Sequence, residues 1–259
     1  MLSDSLNNKN YKKLDIIENL AKECIRNKNF TKAEEFLENL LEDFDKLLPN
    51  HPKILSILNN LSLVYKFRNN YEKAKETCIR EINQCKKILG NTHYQTLLVE
   101  SNLANIYVEL HKYNDAKELY EYVIDNFSNL YGSDKPEILL VINQLGNVYS
   151  VLHQYSDAIN LYEKLLVRIE TKIGIESSEK YDIMNNLAVL YANELKLDRA
   201  KIFFEYALEG YTKIYGVNHK ITVQVLNNLH NLNISIEHIN NTEISPQVKI
   251  LYIMESRFF

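Results

Sequence analysis

Five seven-residue segments set the frame of this chain: NNLSLVY starts at residue 59, SNLANIY at 101, NQLGNVY at 143, NNLAVLY at 185 and NNLHNLN at 227. Each starts 42 residues after the one before. A fixed period of that length marks a repeat architecture, in which one supersecondary unit is copied along the chain and each copy packs on its neighbours. Two further blocks keep the spacing. Ala74, Ala116, Ala158 and Ala200 close the tetrapeptides YEKA, YNDA, YSDA and LDRA, while Gly90, Gly132, Gly174 and Gly216 take four of the chain's six glycines. An earlier copy, ENLAKEC at 18–24 with FTKA ending at Ala33, is shifted by one residue and has Pro49 where the glycine would stand.

Each copy reads as two helices. In the first, Leu58, Leu61 and Tyr65 stand at i, i+3 and i+7, and Ile142, Leu145 and Tyr149 repeat the pattern. After a break near 67–70, the second helix is expected from about Tyr71 to Leu89, with Ala74 and Ile82 inward and Gly90 as a left-handed residue closing it. Ser62, Ala104, Gly146 and Ala188 on the first helix, with the four alanines on the second, let the axes approach to ~8–10 Å. Tyr65, Tyr107, Tyr149 and Tyr191 fill the gaps beside them. One hairpin cannot bury both of its faces, so the copies must stack.

Composition agrees. Six glycines and four prolines in 259 residues leave little material for hairpin loops, Rossmann turns or phosphate-cradling loops. Pro52, Pro136 and Pro246 fall near expected helix starts. The expected fold is all-α, a right-handed α-solenoid of about six helix-turn-helix repeats. Residues 1–10 are expected to be a disordered N-terminus, and the array runs over 11–244 in copies at about 11–50, 51–92, 93–134, 135–176, 177–218 and 219–244. The last copy has Asn233 where tyrosine is expected and loses the Y-x-x-A block at Ile239–Thr242. Ser245-Pro246 then resembles a helix start, and 245–259 is expected to form a C-terminal capping helix, with an interaction helix as the alternative.

Charge and cysteine narrow the function. Thirty basic against 34 acidic residues give a net charge of −4, so no basic field for nucleic acid is implied. No stretch approaches the ~18 apolar residues of a membrane span and no secretory signal opens the chain, so neither membrane insertion nor export is expected. Cys24, Cys78 and Cys85, odd in number and without CxxC spacing, suit a cytoplasmic protein; Cys78 and Cys85 read as small buried hydrophobes. His51, His93 and His219 share one repeat position, and His111 and His153 another. Equivalent residues one repeat apart are structural before they are ligands of one ion, and no HExxH, GxSxG, Walker or paired-carboxylate motif occurs. No enzyme activity, cofactor or metal is expected.

The pattern L-[small]-x-x-Y, then Y-x-x-A with an aromatic four residues later (Tyr120, Tyr162, Phe204; Cys78 departs), resembles the tetratricopeptide repeat. The 42-residue period, the LNNLAxxY-like core and the G-x-x-H turns at Gly90–His93 and Gly216–His219 are most similar to the repeats of kinesin light chains, over about residues 11–235. Only about ten polar residues precede the repeats, where kinesin light chains carry a heptad coiled coil, and this counts against motor association. The resemblance implies that the first helices line a concave, peptide-binding face. Positions turned away from the second helix are amide-rich and give the candidate peptide-binding residues Asn60, Phe67, Asn102, Asn105, Gln144, Asn147, Asn186, Asn193 and Asn228.

An amide offers a donor and an acceptor to an extended backbone, a role the resemblance carries onto Asn60, Asn102, Asn186 and Asn228. The alternative is compositional: the chain is rich in asparagine throughout, and Asn59, Asn143, Asn185 and Asn227 beside the series read as surface or structural. No candidate groove position is basic, so acidic chaperone tails are not expected, and a neutral or partly apolar ligand fits better. The expected function is a non-catalytic protein–protein interaction scaffold or adaptor for a peptide or protein partner of unknown identity. The alternatives are a peptide-sensing regulator and a structural subunit assembling through its convex face and ends.

Overall fold

A computed structural model describes residues 16–48, 51–132, 136–172 and 178–241. Among these residues there are eleven helices and no strand. Helix α1 covers 16–26. It is followed by α2 (Phe30–Leu47), α3 (Lys53–Phe67), α4 (Tyr71–Ile88), α5 (Tyr94–Glu109) and α6 (Tyr113–Tyr131). Then come α7 (Pro136–Val151), α8 (Tyr155–Lys172), α9 (Ser178–Asn193), α10 (Leu197–Tyr215) and α11 (Lys220–Asn241). The helices belong to two compact units, Met1–Ser133 and Asp134–Phe259. In the first, α2 packs on α3, α3 on α4, α4 on α5 and α5 on α6; in the second, α7 packs on α8, α8 on α9, α9 on α10 and α10 on α11. Each unit is therefore a stack of helical hairpins, the local construction of an α-solenoid. The expected N-terminal tail over 1–10, the capping helix over 245–259 and Gly174 lie outside the described residues.

The turn inside each hairpin is a Schellman motif. Lys28, Asn69, His111, His153 and Leu195 have φ of 57, 57, 57, 57 and 61°, the left-handed region. Around each, the next amide reaches back five residues: Asn70 N–H donates to Tyr65 O at 2.9 Å, Lys112 to Tyr107 at 2.8 Å, Gln154 to Tyr149 at 2.8 Å and Lys196 to Tyr191 at 2.9 Å. The glycines between hairpins have positive φ as well, Gly90 at 107° as the sequence suggests, so the residues inside the hairpins are left-handed positions additional to them. Gly132 (φ 82°, ψ 152°) and Gly216 (φ 86°, ψ 165°) adopt an extended positive-φ conformation open essentially to glycine alone.

Histidines complete both kinds of turn. His111 and His153 place Nδ1 at 2.9 and 2.6 Å from the hydroxyls of Tyr113 and Tyr155. His51, His93 and His219 use Nδ1 to accept from the amides of Lys53, Gln95 and Ile221 at 3.2, 3.2 and 3.4 Å, a cap on each following first helix. These roles explain the shared repeat positions without a ligand.

Packing follows the small residues. Ala74, Ala116, Ala158, Ala200, Ala104 and Ala188 are fully buried, and Ser62 nearly so. Gly146 sits against Tyr162, and a Cβ there would fall 2.3 Å from the ring. Gly210 meets Tyr181 in the same way at 2.1 Å, so at both helical glycines a tyrosine ring occupies the space a side chain would take. Tyr120, Tyr162, Phe127 and Phe204 are among the largest fully buried side chains. Burying one such side chain stabilises the fold by roughly 1.5–3 kcal/mol.

The last copy departs as its sequence suggests. Helix α11 runs 22 residues, against 15 to 16 for α3, α5, α7 and α9, and passes straight through Glu237, where the hairpin turn would fall. Asn233 replaces the tyrosine, and no Y-x-x-A block follows to pack back on the helix.

Candidate functional site

The first helices present their amide-bearing side outward in part. Phe67, Leu140 and Val151 are 56, 61 and 50% exposed, with Leu63 also on the surface, and these apolar side chains stand among the amides. Asn147 and Asn193 are exposed; Asn60, Asn102, Asn105, Gln144 and Asn186 are half-buried. Asn228 is buried. Phe67 stacks on Phe30 with ring centroids 4.8 Å apart, which joins the α3 end to the start of α2.

Several of the amides hold tyrosines. Tyr120 Oη donates to Asn105 Oδ1 at 2.6 Å, and one repeat on, Tyr162 Oη donates to Asn147 Oδ1 at 2.8 Å. Burial drives both tyrosine pKa values up, so the hydroxyls stay protonated as donors. Where the second helix carries Cys78 or Phe204 instead, the position fifteen residues earlier is Leu63 or Val189. An amide therefore stands where a hydroxyl must be satisfied. Asn186 Nδ2 donates to Asn143 Oδ1 and to Tyr162 Oη, both at 3.3 Å, tying α9 to α7 and α8.

On the second-helix side of the first unit lie two clefts. One, of about 370 Å³, lies between α2 and α4 and is floored by Leu58, Leu61 and Tyr65 of α3. The other, of about 430 Å³, lies between α4 and α6 and is floored by Glu100, Leu103 and Tyr107 of α5. In the first, ion pairs close between the walls. Tyr65 Oη donates to Glu38 at 2.6 Å, Lys73 Nζ lies 3.3 Å from Glu38 and 5.0 Å from the Tyr65 ring centroid, and Arg80 bonds Asp45. Burial, then the Glu38 hydrogen bond, push the Tyr65 pKa up. The second unit repeats this triad: Tyr191 donates to Glu163, and Arg199 lies 5.4 Å from the Tyr191 ring. Sequence reasoning concentrated on the first helices and missed these clefts. The signal was present, since Glu38 and Glu163 each stand five residues after the register alanine.

Two carboxyls occupy core positions. Glu81 is 1% exposed where the other copies have Leu40, Val123, Leu165 and Ala207. Burial raises its pKa to about 8, against a single long bond from Asn59 Nδ2 at 3.4 Å. Beside it, burial raises the Cys78 and Cys85 thiols to about 11 and about 12, so neither is a nucleophile at neutral pH. Glu100 is 3% exposed where other copies have Leu58, Ile142 and Met184, and one oxygen meets Lys86 Nζ at 2.8 Å. Among the described residues no group of three or more His, Cys, Asp or Glu could hold a metal ion, and no helix is long and apolar enough to cross a membrane.

A tetratricopeptide repeat family model matches residues 14–78 and 95–166, and a second tetratricopeptide repeat model matches 182–219. No curated protein matches the chain. Among solved structures, a Podosopora anserina protein of nearly identical TPR-like repeats ascribed to kinesin light chain is 22% identical, with a TM-score of 0.70 over 78% of this chain and 96% of that one. BtubC (BKLC) from P. vanneervenii is 16% identical, with a TM-score of 0.69 over 88% of this chain and 91% of that one. The apo quorum sensor NprR from B. thuringiensis is 14% identical, with a TM-score of 0.65 over 96% of this chain and 73% of that one.

Proposed function

The chain belongs to the tetratricopeptide repeat family, with repeats like those of kinesin light chain, and on that premise we propose that it is a non-catalytic interaction scaffold or adaptor whose first helices hold a peptide or protein segment. The observation that carries the reading is the exposure, within each unit, of apolar side chains beside carboxamides of the same first helix: Phe67 on α3 in the first unit, Leu140 and Val151 on α7 in the second. Apolar side chains left in water beside groups that both donate and accept suit an extended segment with a neutral, partly apolar surface. The candidate residues divide by duty. Asn105, Asn147 and Asn186 are engaged by tyrosines, and of these Asn147 is exposed enough to add a ligand contact through its amino group. Asn60, Asn102 and Asn193 hold no tyrosine hydroxyl and are the residues on which to test binding; Gln144 joins them, whereas Asn228 acts only where the helix yields access to it.

Affinity capture with the full chain as bait supplies the partner for the test. The triple variant N60A/N102A/N193A is expected to lose at least about tenfold in affinity for that partner, with an unchanged helical circular-dichroism spectrum. Affinity within twofold of the parent chain would overturn the assignment of binding to this face.

A further inference from the structure

We propose that the cleft between α4 and α6 is a second binding site, which takes an arginine or lysine side chain of a protein partner onto the Glu100 carboxylate. This inference does not depend on the reading of the first-helix face.

Glu100 stands where every stabilising consideration calls for an apolar residue. The equivalent positions hold Leu58, Ile142 and Met184, all buried, yet here a carboxylate is 3% exposed at the floor of the cleft. Its Oε1 is paired with Lys86 Nζ at 2.8 Å, while its buried Oε2 has no hydrogen-bond partner. An unmatched buried acceptor of this kind destabilises the fold. A cationic donor entering the cleft supplies the missing hydrogen bond.

The walls suit such a donor. Asp115 and Glu118 of α6 stand with Glu100 along the cleft, and Lys86 alone of the lining residues is basic, so the lining carries a net negative charge. The neighbouring cleft, one repeat earlier, isolates the difference. There Glu38 pairs with Lys73 and Arg80 with Asp45; the corresponding positions here are Ile79, Asp115, Tyr122 and Lys86. Here Lys86 is the one lining cation and already meets the other oxygen of Glu100, while Asp115 stands where Lys73 does and Tyr122 where Arg80 does. Ile79, Ile82, Leu103 and the Tyr107 ring give the stem of a long basic side chain an apolar surface to lie on. A volume of about 430 Å³ admits such a side chain with an apolar neighbour, and is within the ~300–1,000 Å³ of ligand sites.

The test uses the full chain, isotope-labelled, with a capped pentapeptide ALRLA and its counterpart bearing citrulline, the neutral isostere of arginine. ALRLA is expected to shift the amide resonances of Ile82, Glu100 and Asp115 and to bind about tenfold more tightly than the citrulline peptide. E100L is expected to abolish the response and to raise the melting temperature by about 2–4 °C, since an apolar residue replaces a half-satisfied buried charge. E100Q keeps the shape and is expected to lose about tenfold in affinity, which controls for any refolding around leucine. Equal affinity for the two peptides, no response to ALRLA at millimolar concentration, or binding that survives both substitutions at Glu100 would each overturn the proposal. A response lost in N60A/N102A/N193A and kept in E100L would transfer basic-peptide binding to the first helices, and so refute this site while favouring the other.

Discussion

At the scale of single residues, the informative positions are those that break the register. Glu81 fills a slot that other copies give to leucine, valine or alanine, and its burial holds the carboxyl neutral at pH 7, with a pKa of about 8 against an ordinary 4.5. The native state therefore keeps a proton that the unfolded chain has lost between these two values, and stability falls as pH rises through that window. The slope contributed is at most about 1.4 kcal/mol per pH unit. Thermal melts at pH 5.5 and pH 8 are expected to show a larger loss for the parent chain than for E81Q, which has no proton to release; equal losses would count against a buried, neutral Glu81. The tyrosine-holding role of Asn105 and Asn147 was also legible in the sequence, since Asn and Tyr occur together fifteen residues apart in two copies and are both absent in two others. A search along the first helix alone reads those amides as a ladder. Aligning the first helix with the second reads them as pairs.

At the scale of the helix and its turn, period and composition were sufficient to place the hairpins, because apolar spacing at 3.6 residues and a stack of small residues leave no other secondary structure. Turn geometry was hidden for a physical reason. A left-handed residue announces itself when it is glycine, and here the position carries lysine, asparagine, histidine twice and leucine. The Schellman hydrogen bonds over-determine the conformation and absorb a strain of ~1–2 kcal/mol at a non-glycine residue. Leu195 is the costliest case, lacking the local hydrogen bonding that suits asparagine to this region. Its side chain is 38% exposed, so removing it forfeits little packing. L195G is expected to raise stability by roughly 0.5–1 kcal/mol, seen as a melting temperature about 1–4 °C higher, whereas N69G should change it by less than half as much. A fall in L195G would mean that Leu195 packing outweighs its strain.

At the scale of the whole molecule, the six-copy count and the frayed last copy were readable from the register, while the division into units at residue 133 left no mark in composition. The final hairpin is incomplete: α11 exposes Ile221, Val223, Leu226 and Ile234 and has no second helix among the described residues. Terminal repeats need a cap, and the apolar run after Ser245-Pro246 is the segment available to supply it. Deleting 245–259 is expected to lower the melting temperature or bring on aggregation, checked by calorimetry and light scattering; a truncated chain as stable and monodisperse as the full one would refute the capping role. The repeated Schellman turns also say what kinds of length change such a chain can absorb. Every described hairpin turns on the same Schellman hydrogen bonds, so a whole 42-residue cassette can be gained or lost with the turn inside each hairpin unchanged. Losing one residue within a helix instead swings everything beyond it by ~100° and turns the buried face outward. The one-residue shortfall of the first copy obeys that rule: α2 starts and ends 41 residues before α4, while His51 stands 42 before His93, so the missing residue falls outside the helices.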